Sequence, residues 1–391
     1  MNKREEVKEK ILRSESPYIL AELPTSFGKS KIALDTMANS CNSNSNILVV
    51  VPRVVLKSNW KEEFKKWGYE DFLSQVTFTT YRSFPKMIGH YDFVIFDEVH
   101  HLSQRCQDSL EDFTINKAML LSATVNRDMK YQLNECFPEL FIVKVNVKEA
   151  TKEGVLPDPK VFLIPLSLDN IYENQVIIKN KSKSNSIKVP YNRRWNYKGV
   201  KNRQIIITCT QQQYYDDISS MIAWCKKRIF NSTFKNMFLK KSGDRLKWLS
   251  EQKTTYIKSL LDLLHKERTL TFCNGIPQTE ALGKYCVNSK NRKSATFIED
   301  FNSNKIDHIT ACNMLDEGIN LVNCRIGIYA SLNSSERMIK QKLGRLLRHK
   351  DPIIIIPYFK HTRDEEIIQE MCKDYNSNLV KVITNLTELK L

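Results

Sequence analysis

The chain lacks any paired-cysteine signature. Its ten cysteines are scattered over 391 residues, with no C-x-x-C pair and no cysteine–histidine grouping at zinc spacing. That excludes a structural zinc module and a redox dithiol motif, and it reads as reduced, mostly buried thiols. No apolar run has the length of a transmembrane helix. The opening stretch, MNKREEVKEKILRSE, is charged and helical in pattern, without the apolar core and small-residue cleavage site of a secretory leader. An intracellular, cytoplasmic protein with no membrane partner is expected. No internal repeat is detectable. Acids are also in deficit: 44 Asp and Glu stand against 60 Lys and Arg, giving a net charge of +16 and a pI near 9.2. Such a field favours polyanions, so nucleic acid is the leading partner class.

The length points to two domains, and 41% hydrophobic residues suffice for ordinary cores. In the first 150 residues, apolar strands at 18–21, 47–51, 75–78, 93–96 and 118–121 alternate with helical stretches at 31–38 and 54–67. Continuous apolar strands between helices predict an α/β fold with a parallel, doubly wound sheet. Residues 153–159 read as a linker, followed by a strand at 161–166. The stretch 179–203 carries nine Lys and Arg and no Asp or Glu, with Tyr191, Trp195 and Tyr197 interleaved. Residues 211–265 are polar, basic and mostly helical. From 270 the alternation returns, with strands at 270–273, 309–312, 325–329 and 353–356 and helices at 278–285 and 336–347. The expected domains are 1–150 and 151–391, the second holding a basic, aromatic-bearing insert at about 176–203.

Residues 93–101 read Phe-Val-Ile-Phe-Asp-Glu-Val-His-His. A buried strand would deliver Asp97 and Glu98 at its C-terminal end, where open α/β sheets bind ligands. One acid can hold Mg²⁺ and the next can orient or deprotonate a water. Taken alone, the stretch reads sooner as a strand running into a polar loop. A second motif decides. Pro24-Thr25-Ser26-Phe27-Gly28-Lys29-Ser30 lies between a strand and a helix, the context of a phosphate-binding loop. Gly28 permits close backbone approach, Lys29 reaches the terminal phosphates, and the Ser30 hydroxyl can complete a Mg²⁺ shell with Asp97. Ser26 stands where a glycine is usual. Further on, Gln341, Arg345 and Arg348 share one helix face, with Gly344 leaving room for close approach. Two arginines aimed across a cleft can stabilise charge developing at a γ-phosphate. The alternative is a basic helix with a solvated face.

Taken in order, these motifs resemble superfamily 2 helicases of the DEAD/DEAH-like type over nearly the whole chain. PTSFGKS is similar to motif I, VVPRVVL at 50–56 to motif Ia, and Thr79-Thr80-Tyr81-Arg82 to motif Ib. DEVH is similar to motif II and Ser122-Ala123-Thr124 to motif III. Leu270–Asn274, NMLDEGIN at 313–320 and QKLGRLLR at 341–348 are similar to motifs IV, V and VI. The resemblance implies two tandem RecA-like domains with an ATP cleft between them, and ATP with Mg²⁺ as cofactors. It assigns Lys29, Asp97 and Glu98 to catalysis, Arg345 and Arg348 as arginine fingers, and Gly318, Asn320 and Gln341 to nucleotide contact. His100, Ser122 and Thr124 are implied to couple hydrolysis to movement. Pro52, Arg53, Thr80, Tyr81 and Asn274 are implied to contact nucleic acid. Arg193, Arg194 and Trp195 of the insert join them on composition. Asn320 stands where an aspartate commonly meets the ribose, and no glutamine in the first 25 residues can read adenine. Arg13 is a candidate for stacking on the base, against an ordinary solvated helix arginine.

Within the superfamily the loop and the QKLGRLLRH ending look most like phage and bacterial DNA helicases of the UvsW kind. The implied activity is unwinding or branch migration of DNA in recombination, repair or replication. The track is single-stranded or branched DNA, and the protein a monomer, with a targeting partner or the basic insert directing it. An Asn/Lys/Ile-rich composition fits a low-GC source such as a phage. Two alternatives stand beside this: an RNA helicase, and an ATP-gated nucleic-acid clamp without motor activity.

Overall fold

The structure, a computed structural model, describes residues 2–171, 174–179, 186–190, 204–312, 321, 324–332 and 349–389. Six strands form the first sheet: β1 (Tyr18–Glu22), β2 (Ile47–Val51), β3 (Val76–Thr80), β4 (Gly89–Phe96), β5 (Phe113–Ser122) and β6 (Phe141–Lys144). They run in the order β3-β2-β4-β5-β1-β6, and every pairing is parallel. Parallel neighbours cannot be joined by tight hairpins, so helices such as Lys29–Ser40 and Val55–Lys66 carry the chain back. β2 is buried at all five positions because both of its faces are covered. Register levels the ends that matter: Leu20 and Phe96 both pair with Leu120. The C-terminal ends of β1 and β4 therefore open on one edge.

β7 (Lys160–Leu166) starts the second sheet. A three-stranded sheet follows, of β8 (Asn174–Lys179), β9 (Ser186–Pro190) and β10 (Gln204–Cys209), in the order β8-β10-β9. The helices Gln211–Lys226, Ser232–Gln252 and Thr254–Leu263 come next. The second sheet then gains β11 (Thr269–Phe272), β12 (Cys286–Val287), β13 (His308–Ala311), β14 (Ile326–Tyr329), β15 (Ile353–Phe359) and β16 (Val380–Val382). Its order is β12-β13-β11-β14-β15-β7-β16, again all parallel. The fold is thus two parallel sheets flanked by helices, as expected.

The stretch 153–159 holds no helix or strand, but it is not an exposed tether. Val155 and Leu156 are buried, and both amides donate to the Ala150 carbonyl. They belong to an apolar cluster that includes residues of both sheets, such as Ile19 and Val161. The helix expected at 336–347 lies outside the described residues. Among the described residues no helix is long and apolar enough to cross a membrane.

Candidate active site

β1 is buried from Ile19 to Glu22 and runs into the loop 23–28. Phe27 has no exposed surface and pins this loop to the core. On either side of it Ser26 (φ 69°) and Gly28 (φ 103°) take left-handed backbone conformations. A Cβ at Gly28 would meet nothing within 4 Å, so glycine here supplies the dihedral and the space above is open. Gly28 caps the helix Lys29–Ser40 without a side-chain hydrogen bond. The first-turn N–H groups are therefore left for an anion. The buried Thr25 hydroxyl has no hydrogen-bond partner among the described residues.

Asp97, at the end of β4, is fixed on three sides. Its N–H donates to the Val50 carbonyl at 2.9 Å, and its own carbonyl accepts from the Tyr81 hydroxyl at 2.9 Å. Its carboxylate Oδ2 accepts from the Trp60 indole N–H at 2.9 Å. Burial pushes the Asp97 carboxyl up to about 6 and the neighbouring Glu98 charge adds to this, with Trp60 and Lys29 opposing. Glu98 itself sits at φ 50° and ψ 59°. A left-handed conformation costs a non-glycine residue about 1–2 kcal/mol, and such strain concentrates at functional sites. Lys29 Nζ lies 3.9 Å from Glu98 Oε1 and donates to the Leu23 carbonyl at 3.2 Å. One lysine thus joins the loop to the acids. Glu98 Oε2 is buried and accepts no hydrogen bond among the described residues, although His100 Nδ1 stands 3.4 Å away.

From the acids a polar chain leads to the end of β5. His100 Nδ1 is 3.1 Å from Ser122 Oγ. Ser122 Oγ donates to the Thr124 carbonyl at 2.9 Å and accepts from the Thr124 N–H at 3.3 Å. The three residues expected to couple are therefore in one connected path, from His100 through Ser122 to the Thr124 backbone, with Glu98 at 3.4 Å from its first member.

The residues expected to grip nucleic acid divide. Arg53 is exposed and Pro52 partly so, just before the helix Val55–Lys66. Beside them Val54 is 72% exposed. Asn274 is partly buried, and its N–H donates to Gln278 Oε1 at 3.3 Å. Thr80 and Tyr81 are placed differently. Both are buried, Tyr81 at 6% exposure, and the Tyr81 hydroxyl is spent on the Asp97 backbone. Tyr81 thereby holds the strand end in position. Arg13 is exposed and paired with Glu9 at 2.9 Å. Arg193, Arg194, Trp195, Gly318, Asn320, Gln341, Arg345 and Arg348 lie outside the described residues.

Two residues were not anticipated. Trp60 lies on the buried face of its helix with Leu56 and Phe64, which reads as plain core. Its one signal is that a buried indole N–H needs an acceptor. Arg4, on the helix Lys3–Leu12, donates through one guanidinium nitrogen to the Ser26 and Val155 carbonyls, both at 3.1 Å. No motif marks it.

Residues 3–127 match the family "Type III restriction enzyme, res subunit", and residues 252–350 match "Helicase conserved C-terminal domain". The DNA 3'-5' translocase XPB2 of Sulfurisphaera tokodaii is 22% identical over 352 residues, covering 84% of this chain and 74% of that protein. The solved structure of S. cerevisiae Dbp5 bound to RNA and ADP BeF3 matches 97% of this chain and 89% of its own. Its TM-score is 0.61 at 11% identity. That likeness is one of fold, in tandem RecA-like helicase domains. The two family matches, in this order along one chain, indicate a superfamily 2 helicase.

Proposed function

We propose that the chain is an ATP-dependent DNA translocase that unwinds or branch-migrates DNA, built as two motor domains at 1–150 and 151–391. The observation that carries this reading is the 3.9 Å approach of Lys29 to Glu98. It brings an open, uncapped phosphate loop against a half-buried acid pair whose second member, Glu98, has a strained backbone. Glu98 orients the attacking water and accepts its proton, while Lys29 and the loop N–H groups take the phosphate charge. Arg345 and Arg348 act as arginine fingers, and Gly318, Asn320 and Gln341 line the nucleotide.

Ser30 and Asp97 suit Mg²⁺. One hydroxyl and one carboxylate leave its other positions to phosphate oxygens and water, and Mg²⁺ usually binds with such partial protein ligation. Among the described residues no cluster of three or more His, Cys, Asp or Glu side chains could hold a metal. This fits an ion that arrives with the nucleotide. When bound it neutralises phosphate charge.

Through Ser122 and Thr124, His100 relays the state of Glu98 to the rest of the motor. Pro52, Arg53, Asn274 and the insert residues Arg193, Arg194 and Trp195 hold the track. DNA as that track is supported by the XPB2 relative, described as a DNA translocase, and by the net charge of +16. A role in recombination or repair would show as a preference for branched substrates. ATPase and strand separation on single-stranded DNA, forks, four-way junctions and RNA test the reading. Stimulation by DNA, greatest on branched forms, is expected, and stimulation by RNA alone would overturn the choice of track.

A further inference from the structure

The helices Gln211–Lys226 and Ser232–Gln252 pack side by side as a hairpin. Its base is held in place. Tyr215 and Leu249 are buried with Leu168 and Phe359, and Arg245 Nη1 donates to Ser219 Oγ at 3.1 Å. Its tip is a different surface. Phe230, in the turn, is 88% exposed, and Trp224 and Ile229 before it and Leu239 further along the second helix are exposed too. Between Asp217 and Asp244 the sequence has no acid, but it has Lys226, Lys227, Arg228, Lys235, Lys240 and Lys241. Next to the turn, Trp224 is held in a fixed cluster. The Arg228 guanidinium lies 4.4 Å over the Trp224 ring and donates to the Trp224 carbonyl at 3.1 Å, and Phe234 meets Trp224 edge-on at 5.0 Å.

We propose that this tip binds unpaired DNA, with Phe230 stacking on a base and the surrounding lysines meeting phosphates. The proposal rests on the DNA-motor reading above and gives it a strand-engaging point separate from the 176–203 insert. Charge complementarity chooses the occupant. An all-basic patch fits a polyanion, and aromatics dispersed among lysines are what single strands stack on. A duplex hides its base faces in the stack and offers phosphates and groove edges, on which an aromatic ring cannot stack. Phe230 buries almost nothing, so replacing it leaves the hairpin intact.

The test uses the full-length chain and fluorescence anisotropy with a labelled dT20 strand and a blunt duplex. F230A is expected to weaken dT20 binding about tenfold or more, while F230Y retains it. Duplex affinity and ATPase without nucleic acid should stay within about twofold of wild type for both variants. The double variant K226Q/K227Q should weaken both ligands and lower the log–log salt slope on dT20 by about 1.4. Wild-type dT20 affinity in F230A overturns the proposal, as does an equal loss on the duplex. It is also overturned if Phe230 matters for phosphatidylglycerol vesicles and not for dT20. A wild-type chain without DNA binding or DNA-stimulated ATPase overturns the motor reading along with it. A DNA-stimulated wild type indistinguishable from F230A overturns the tip alone.

Discussion

Trp60→Phe isolates the support beneath Asp97. The change keeps an aromatic ring on the buried face of the helix Val55–Lys66 and removes one N–H, the donor 2.9 Å from Asp97 Oδ2. A hydrogen bond to a charged group contributes about 1.5–3 kcal/mol, which corresponds to about 10- to 150-fold in an equilibrium constant. The loss falls on a carboxylate whose burial already works against its charge. Partners that orient a metal-binding carboxylate typically matter by about 10- to 100-fold in metal affinity. The Mg²⁺ concentration for half-maximal ATPase should therefore rise by about that factor in W60F, with most of the turnover recovered at high Mg²⁺. Trp67→Phe is the control, because its indole N–H bonds to Glu63 on the surface at 2.8 Å. It should leave the Mg²⁺ curve unchanged. A W60F curve that overlays wild type would refute the claim that the indole positions a metal-binding carboxylate.

Ser122→Ala cuts the path from His100 to Thr124. It should reduce stimulation of ATPase by DNA about five- to tenfold while unstimulated turnover stays within about twofold, as measured by phosphate release with and without DNA. Lys253 and Asp364 form an ion pair at 2.8 Å with both side chains out of solvent. Lys253→Met leaves a buried carboxylate uncompensated and should cost about 3–5 kcal/mol in urea unfolding. Burial pushes the His308 imidazole down to about 4 from its ordinary value of 6.5, so the folded chain keeps it neutral. Its contribution to stability is complete above pH 6.5 and is lost as pH falls from 6.5 towards 4, by up to about 3 kcal/mol. Urea unfolding at pH 7 and 5 should show about 2 kcal/mol of that loss in wild type and less of it in His308→Gln.

The sheets were legible because parallel strands are covered on both faces and read as unbroken apolar runs. β2 spans Ile47–Val51, the run itself. β4 begins four residues before its apolar run, since Gly89–Asp92 forms the more exposed end of that strand. β12 and β16 are too short for a pattern, and β6, at the sheet edge, has only one buried residue, so it shows no apolar run. Strand, loop and helix context places Lys29 and the acids at strand ends, and in the structure Lys29 Nζ lies 3.9 Å from Glu98 Oε1. The burial of Tyr81 was not legible, because a motif labels a segment and not its faces. β3 delivers it inward, onto the Asp97 carbonyl. Arg4 was illegible for another reason. It binds backbone carbonyls at 26 and 155, and a carbonyl carries no residue identity for a pattern to catch.

Turnover of ATP by wild type and by Glu98→Gln, each with and without DNA, bears most directly on a split ATPase built around Lys29, Asp97 and Glu98. Wild type should hydrolyse ATP faster with DNA present. Glu98→Gln should lose about 10²- to 10⁴-fold in turnover while still binding nucleotide. A wild type that DNA does not stimulate, with Glu98→Gln turning over at the same rate, would contradict both the assignment of Glu98 and the motor itself.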